Sequence, residues 1–142
     1  MKTLVVGEQP NGRRGGDWDP TGNSTRRLAK AFNMDPYYMR HSFTFDNLLP
    51  GHVAWDDGTA MAMAEAVLWC RVSDYDYVLL MGRRVAAACG MGDAPYLRRF
   101  RFGKTTFVVV PHPSGMNRWW NDLDNRRRGY TFLRRLRREI SA

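Results

Sequence analysis

Cysteine and histidine are scarce in this chain, acidic residues are outnumbered, and long apolar runs are missing; each shortage removes a class of function. Two cysteines, Cys70 and Cys89, cannot build a disulfide framework. Both lie in apolar, helix-like stretches, so the expectation is buried thiols in a reducing, cytoplasmic compartment rather than a disulfide or a metal site. No apolar run approaches the roughly 20 residues of a membrane span, and no membrane partner is expected. The amino-terminal Met1-Lys2-Thr3-Leu4-Val5-Val6 is too short for a signal peptide and lacks the small residues of a cleavage site. Internal repeats and low-complexity linkers are absent. The glycines neither follow Gly-x-Gly-x-x-Gly nor end in the Lys-Ser/Thr of a P-loop.

What is present describes one folded domain, residues 1–142, long enough for a real core. A hydrophobic content of 44%, with five Trp, six Tyr and seven Phe, argues against disorder. The formal charge is +8 and arginine dominates it, in clusters at Arg13-Arg14, Arg26-Arg27, Arg83-Arg84, Arg98-Arg99, Arg126-Arg127-Arg128 and Arg134 to Arg138. Arginine grips phosphate bidentately and displaces condensed counterions, which suits a polyanion; general solubility explains the same charge without a partner.

Apolar periodicity and turn residues predict strands at residues 3–6, 42–45, 77–81 and 105–110, with 96–102 a strand or extended loop turning at Gly103-Lys104. Helices are predicted at Arg26 to Phe32, capped by Asn23-Ser24-Thr25, at Thr59 to Cys70, capped by Asp57-Gly58-Thr59, at Arg83 to Cys89, and at Asn125 to Ile140. In the last, Leu133, Leu136 and Ile140 share a face and arginines cover the rest. Gly7 to Gly22 is a glycine-rich polar loop of a length that is usually functional or mobile. The alternation of strand and helix argues an α/β fold of three α/β/α layers around a mostly parallel, four-stranded sheet. Loops at the carboxyl ends of such strands meet in one crevice. Here they bring together the Gly7 loop, the Asn47 turn, the Gly82 turn and the His112 loop.

Two of those loops carry chemistry. Gly7-Glu8-Gln9-Pro10 follows the strand Leu4-Val5-Val6, and His112-Pro113-Ser114-Gly115-Met116-Asn117 follows Phe107 to Pro111. His112 is flanked by prolines on a stiff backbone. A neutral imidazole N–H there can donate to an oxygen that gains charge in a transition state, although a histidine can also cap a loop. Glu8 can accept a proton or place charge beside a cationic intermediate, and the Gln9 amide can donate and accept; the plain alternative is a turn capped by Glu8. Asn47 presents a donor beside an acceptor, suited to a base edge, or else forms an Asx turn before Pro50. Met116, with Asn117 and Arg118 beside it, is an apolar tip suited to wedge a base stack, while at least one of Trp119 and Trp120 is expected in the core. His41 and His52 have no such context.

Taken in order, these residues resemble the uracil-DNA glycosylase superfamily, most closely its iron–sulfur type and near relatives, whose first motif reads Gly-Glu-(Ala/Gln)-Pro-Gly. Gly7-Glu8-Gln9-Pro10 matches it with Asn11 in place of the final glycine, and His112 to Met116 is similar to the family's His-Pro-Ser motif and apolar tip. Tyr77 to Gly82 resembles the central strand and its glycine, and Thr21-Gly22-Asn23-Ser24 the loop into the first helix. The resemblance implies a monomer that flips a base out of DNA, polarises it and lets water attack the sugar C1′. It implies that His112 donates to the pyrimidine O2, Glu8 and Gln9 position water or stabilise charge, and Asn47 reads the base. Met116 fills the gap in the duplex, and Ser114 and the Gly115 backbone grip phosphate. Two cysteines cannot supply the family's four cluster ligands, so no cofactor or metal is expected. Pro20 stands where the family has its stacking Phe; Trp18 is near enough to substitute, and Asp17 or Asp19 can assist the water. These departures point to a modified or unusual base.

Three functions compete. One is a monofunctional DNA glycosylase acting on uracil or a related pyrimidine. Another is a member of the same fold repurposed to bind DNA or a nucleotide without excision. The third, weaker, is a generic α/β enzyme whose glycine-rich loop cradles a small nucleotide.

Overall fold

In the computed structural model, described for residues 1–8, 18–50, 54–114 and 118–141, the chain alternates strands with helices. Strands are β1 (Thr3–Gly7), β2 (Thr44–Asn47), β3 (Tyr77–Met81), β4 (Arg99–Phe102) and β5 (Thr105–Val110). Helices are α1 (Asn23–Phe32), α2 (Pro36–Ser42), α3 (Asp57–Met63), α4 (Trp69–Arg71), α5 (Arg83–Ala88) and α6 (Leu123–Ser141). A π-helical stretch, Ala64–Leu68, makes α3 and α4 one continuous rod.

The described sheet has five strands, not the expected four, in the order β2-β1-β3-β5-β4. The four strands β2, β1, β3 and β5 are parallel; β4, within the 96–102 segment expected as a strand or extended loop, is the fifth and runs antiparallel to β5. Its presence follows from the turn. Gly103, at φ +59°, reverses the chain between Phe102 and Thr105, so the preceding segment must pair with β5 as a hairpin. That segment is exposed at Arg99, Arg101 and Phe102, and a half-solvated edge strand shows little of the apolar signal that marks the others.

Helices cover both faces because the central strands are apolar on both sides over most of their length. Val5, Leu79, Met81, Val108 and Val110 point one way and pack with Leu28 and Phe32 of α1, Met39 of α2, and Leu133, Leu136 and Ile140 of α6. Their neighbours Leu4, Val6, Val78, Leu80, Phe107 and Val109 point the other way, against Ala60, Ala64 and Leu68 of the rod and Val85 and Ala86 of α5. The period of 2 along a strand produces this split. Each such side chain contributes about 1.5–3 kcal/mol by leaving water.

Several element ends differ from expectation. The cap of α1 is Gly22, with no side-chain hydrogen bond, rather than Asn23-Ser24-Thr25, because the turn at Asp19–Gly22 already directs the chain into the helix. Asp56, one residue before the expected box, caps α3 by accepting from the Thr59 amide and hydroxyl at 2.8 Å each, which holds its carboxyl below its ordinary pKa. Ser42 closes α2 instead of opening a strand; Asp35 accepts from the amides of Tyr37 and Tyr38, and Pro36 occupies the first turn. Cys89 is buried as expected, and desolvation pushes its thiol up to about 12, but Cys70 is exposed because it lies on the outer side of the rod.

Candidate functional site

Strand register places the chemistry in one row. Asn47 is paired with Gly7, Val6 with Leu80, and Met81 with Val110, so the carboxyl ends of the four parallel strands are level. The two middle strands end at glycines, Gly7 and Gly82. The two outer ones lead to Asn47 and, two residues past β5, His112. Three strand spacings of about 4.8 Å put the outer backbones about 14 Å apart. Side chains from both sides therefore reach inward over a glycine floor.

The glycines are needed at both floor positions. A Cβ on Gly7 would collide with Asn47 Oδ1 and come within 3.0 Å of the Trp18 ring. Asn47 and Trp18 therefore converge directly above β1. A Cβ on Gly82 would lie 3.2 Å from His112 Cβ, and Gly82 holds φ +95° and ψ 168°, a conformation open only to glycine. The Gly82 amide donates to Val110 C=O at 2.8 Å, extending the β3–β5 ladder to the foot of the His112 loop.

His112 is held by its own loop. Its Nδ1 accepts from the Ser114 amide at 3.1 Å. Burial lowers its pKa from the ordinary 6.5, and the nearby Glu8 carboxylate opposes that shift without overcoming it. A neutral ring whose Nδ1 is an acceptor carries its proton on Nε2, so this histidine is built as a neutral donor. Ser114 is fixed in turn: Arg27, on α1, donates to its C=O at 2.9 Å.

Glu8 follows β1, and its C=O and that of Gly7 accept from the amides of Leu49 and Leu48 at 3.0 Å, which ties the first loop to the end of β2. Trp18 is 8% exposed, has φ +47°, and packs on Phe45 with centroids 5.3 Å apart. Its Nε1 is buried without a hydrogen-bond partner among the described residues. Arg40 covers Phe45, 4.9 Å from its centroid. Asp19 shapes the turn into α1, its Oδ1 accepting from the amide and hydroxyl of Thr21 at 2.9 Å each. Trp120 is buried and donates to Pro111 C=O at 3.1 Å, so the core role expected for one tryptophan falls to it. Arg118 is exposed in the short helical turn Arg118–Asn121.

Glu8, Trp18, Asn47, His112 and Ser114 thus gather at one end of the sheet, with Asp19 in the turn behind Trp18. Gln9, Gly115, Met116 and Asn117, and with them Asp17 and His52, lie outside the described residues. Arg27, Phe45 and Gly82's contact with His112 were not singled out as parts of a site by sequence reasoning. Arg27 had a legible signal: arginines near the start of a helix whose first turn has no acidic residue oppose the helix dipole, and such a cost suggests another task.

Among the described residues no group of three or more His, Cys, Asp or Glu side chains is arranged to hold a metal, and the chain's two cysteines do not fit a four-thiolate cluster. No described helix is long and apolar enough to cross a membrane. Compared with known proteins, the chain matches no family model, and no curated protein is significantly similar to it.

Proposed function

We propose that this protein is a DNA glycosylase that hydrolyses the N-glycosidic bond of a flipped-out uracil or related, modified pyrimidine. The observation that carries the reading is the His112–Ser114 contact, which makes His112 a neutral Nε2–H donor at the strand ends. A departing pyrimidine takes the bonding electron pair and becomes an anion with charge on O2. A neutral imidazole donates there without first losing a proton. The charge left on the sugar is positive, and Glu8, close enough to influence His112, suits its stabilisation and accepts the proton of the attacking water. Water oxygen bonds to C1′, the C1′–N1 bond breaks, and the base leaves to be protonated.

Base selection falls to the Asn47 end. The side chain of Asn47 offers a donor and an acceptor to a pyrimidine edge, and the Trp18–Phe45 pair supplies an aromatic wall. Gln9, and the tip Gly115-Met116-Asn117 with Arg118, are proposed to complete water positioning, phosphate contact and the wedge.

The test is base release from single- and double-stranded oligonucleotides carrying uracil, 5-hydroxymethyluracil, hypoxanthine or a mismatched thymine, with abasic sites revealed by mild alkali. Release from one of these, abolished by His112→Ala, supports the proposal. DNA binding with no release from any of them favours the repurposed binder. That second reading has its own support: the Trp18 ring already lies over Gly7, inside the space a base would take.

A further inference from the structure

The arginines of α6 differ in what they face. Arg126 donates to Trp120 C=O and Arg137 to Asn33 C=O, and these two hold the helix to its surroundings; Arg134 lies 5.3 Å from the centroid of Tyr130 on the helix itself, and Arg138 is exposed outside the groove. Arg127, Arg128 and Arg135 instead project, with Arg99 of β4, into a groove of about 530 Å³ between the helix and the sheet edge, above Thr131 and Phe132. Arg99 is anchored there by Glu139 and by the Phe132 ring, 4.7 Å from its centroid. Asp124 is the acidic residue on the rim, so positive charge dominates.

We infer that this groove binds the sugar–phosphate backbone of a nucleic-acid strand leaving the candidate site. Arg127 and Arg135 are eight residues apart, about 12 Å along the helix axis. Charges set in a line suit successive phosphates, whereas a single phosphate needs them converging on one point. Guanidinium forks pair with phosphate oxygens, and the apolar floor of Phe132 suits sugar rings. The groove also lies beside the carboxyl end of β5, the strand that leads to His112. Trp119, in the turn that follows the His112 loop, packs on Tyr96 at 6.0 Å and has Arg128 6.0 Å from its centroid. Leu97, on the groove wall, donates its amide to Val109 C=O near the end of β5. At the opposite, amino-terminal ends of the strands, a second groove of about 650 Å³ is lined by Asp74 and Asp76 together with Lys2, and no arginine faces it. The inference rests on the DNA partner of the proposed function and not on base excision.

The probe is an undamaged, fluorescently labelled single strand of about 30 nucleotides, followed by anisotropy across a salt series. Arg127→Gln/Arg135→Gln is compared with Arg134→Gln/Arg138→Gln, an equal loss of charge on the same helix. The groove pair is expected to weaken binding about tenfold and to reduce the salt slope by about 1.4, near 0.7 for each lost phosphate contact; the control pair is expected to change both much less. All four arginines are exposed, so melting temperatures should match the parent. Equal losses from both pairs, or no loss from the groove pair, overturn the inference. A parent that does not bind the strand overturns it together with the DNA partner. Groove-dependent binding by a protein that releases no base supports it while removing the glycosylase chemistry.

Discussion

The Ser114 amide donates to His112 Nδ1, and that one contact of 3.1 Å settles which nitrogen of the ring carries the proton. It also makes the function of the loop separable from its fold, because the donor is backbone and survives changes at position 112. Replacing His112 with Ala is expected to cut base release by about 10²- to 10³-fold, the usual cost of one donor to a developing anion, while leaving DNA affinity within about twofold. Single-turnover rates and anisotropy on the same oligonucleotide check this.

Burial holds the pKa of His112 below 6.5, so the neutral form persists into mildly acidic solution. In the unfolded chain the ring returns to about 6.5 and binds a proton more readily than in the folded protein. The stability linked to His112 is therefore fully present above pH 6.5 and is lost as pH falls through the lower, folded value. Urea melts from pH 8 to about 4.5 are expected to show an acid-side loss that shrinks in His112→Asn. The acid limb of base release should fall below pH 6.5; a limb above it would show that the ring is not held neutral.

Gly7 and Gly82 form the floor, and an added methyl should act differently at each. Gly82→Ala strains a glycine-only conformation and pushes on His112, with an expected stability loss of about 1–3 kcal/mol by urea denaturation. Gly7→Ala lies in a regular strand and should fold, but it displaces Asn47 and Trp18. Its expected signature is a melting temperature close to the parent with base release reduced at least tenfold.

Trp18→Phe removes a buried N–H that has no hydrogen-bond partner among the described residues. The expected result is unchanged or slightly raised stability, since leaving such a group unpaired costs about 1–3 kcal/mol. If the N–H faces the base, the ratio of release rates between uracil and its 5-substituted relatives shifts as well. A clear drop in melting temperature would show that the indole nitrogen is satisfied in solution.

Arg27 reaches across from α1 to the Ser114 C=O and acts on His112 only through the loop. Arg27→Ala is expected to lower kcat about tenfold with little change in KM, and Arg27→Lys to restore part of it. A change confined to KM would make Arg27 a DNA contact instead of a positioning residue.

Alternating strands and helices were legible because apolar runs such as Tyr77 to Met81 and Thr105 to Val110 are bounded by glycine and proline, and because Leu133, Leu136 and Ile140 recur at helical spacing. The candidate site was partly legible for a related reason: Glu8 and His112 follow apolar strands within two residues and Asn47 ends another strand, and a parallel sheet gathers what lies at its strand ends. Local pattern could not supply what depends on register or on a partner distant in sequence. The edge strand β4 is defined by its pairing with β5 and is half-solvated, so its own residues carry little signal. The proton on Nε2 of His112 follows from a backbone amide two residues away whose direction only the folded loop sets. The tie from Arg27 to Ser114 spans 87 residues, and the division of the α6 arginines between anchoring and the groove depends on what each one faces. Residue type and spacing determined the layers and the positions of the reactive groups; three-dimensional packing decided their tautomer, their neighbours and the face on which the positive charge is unspent.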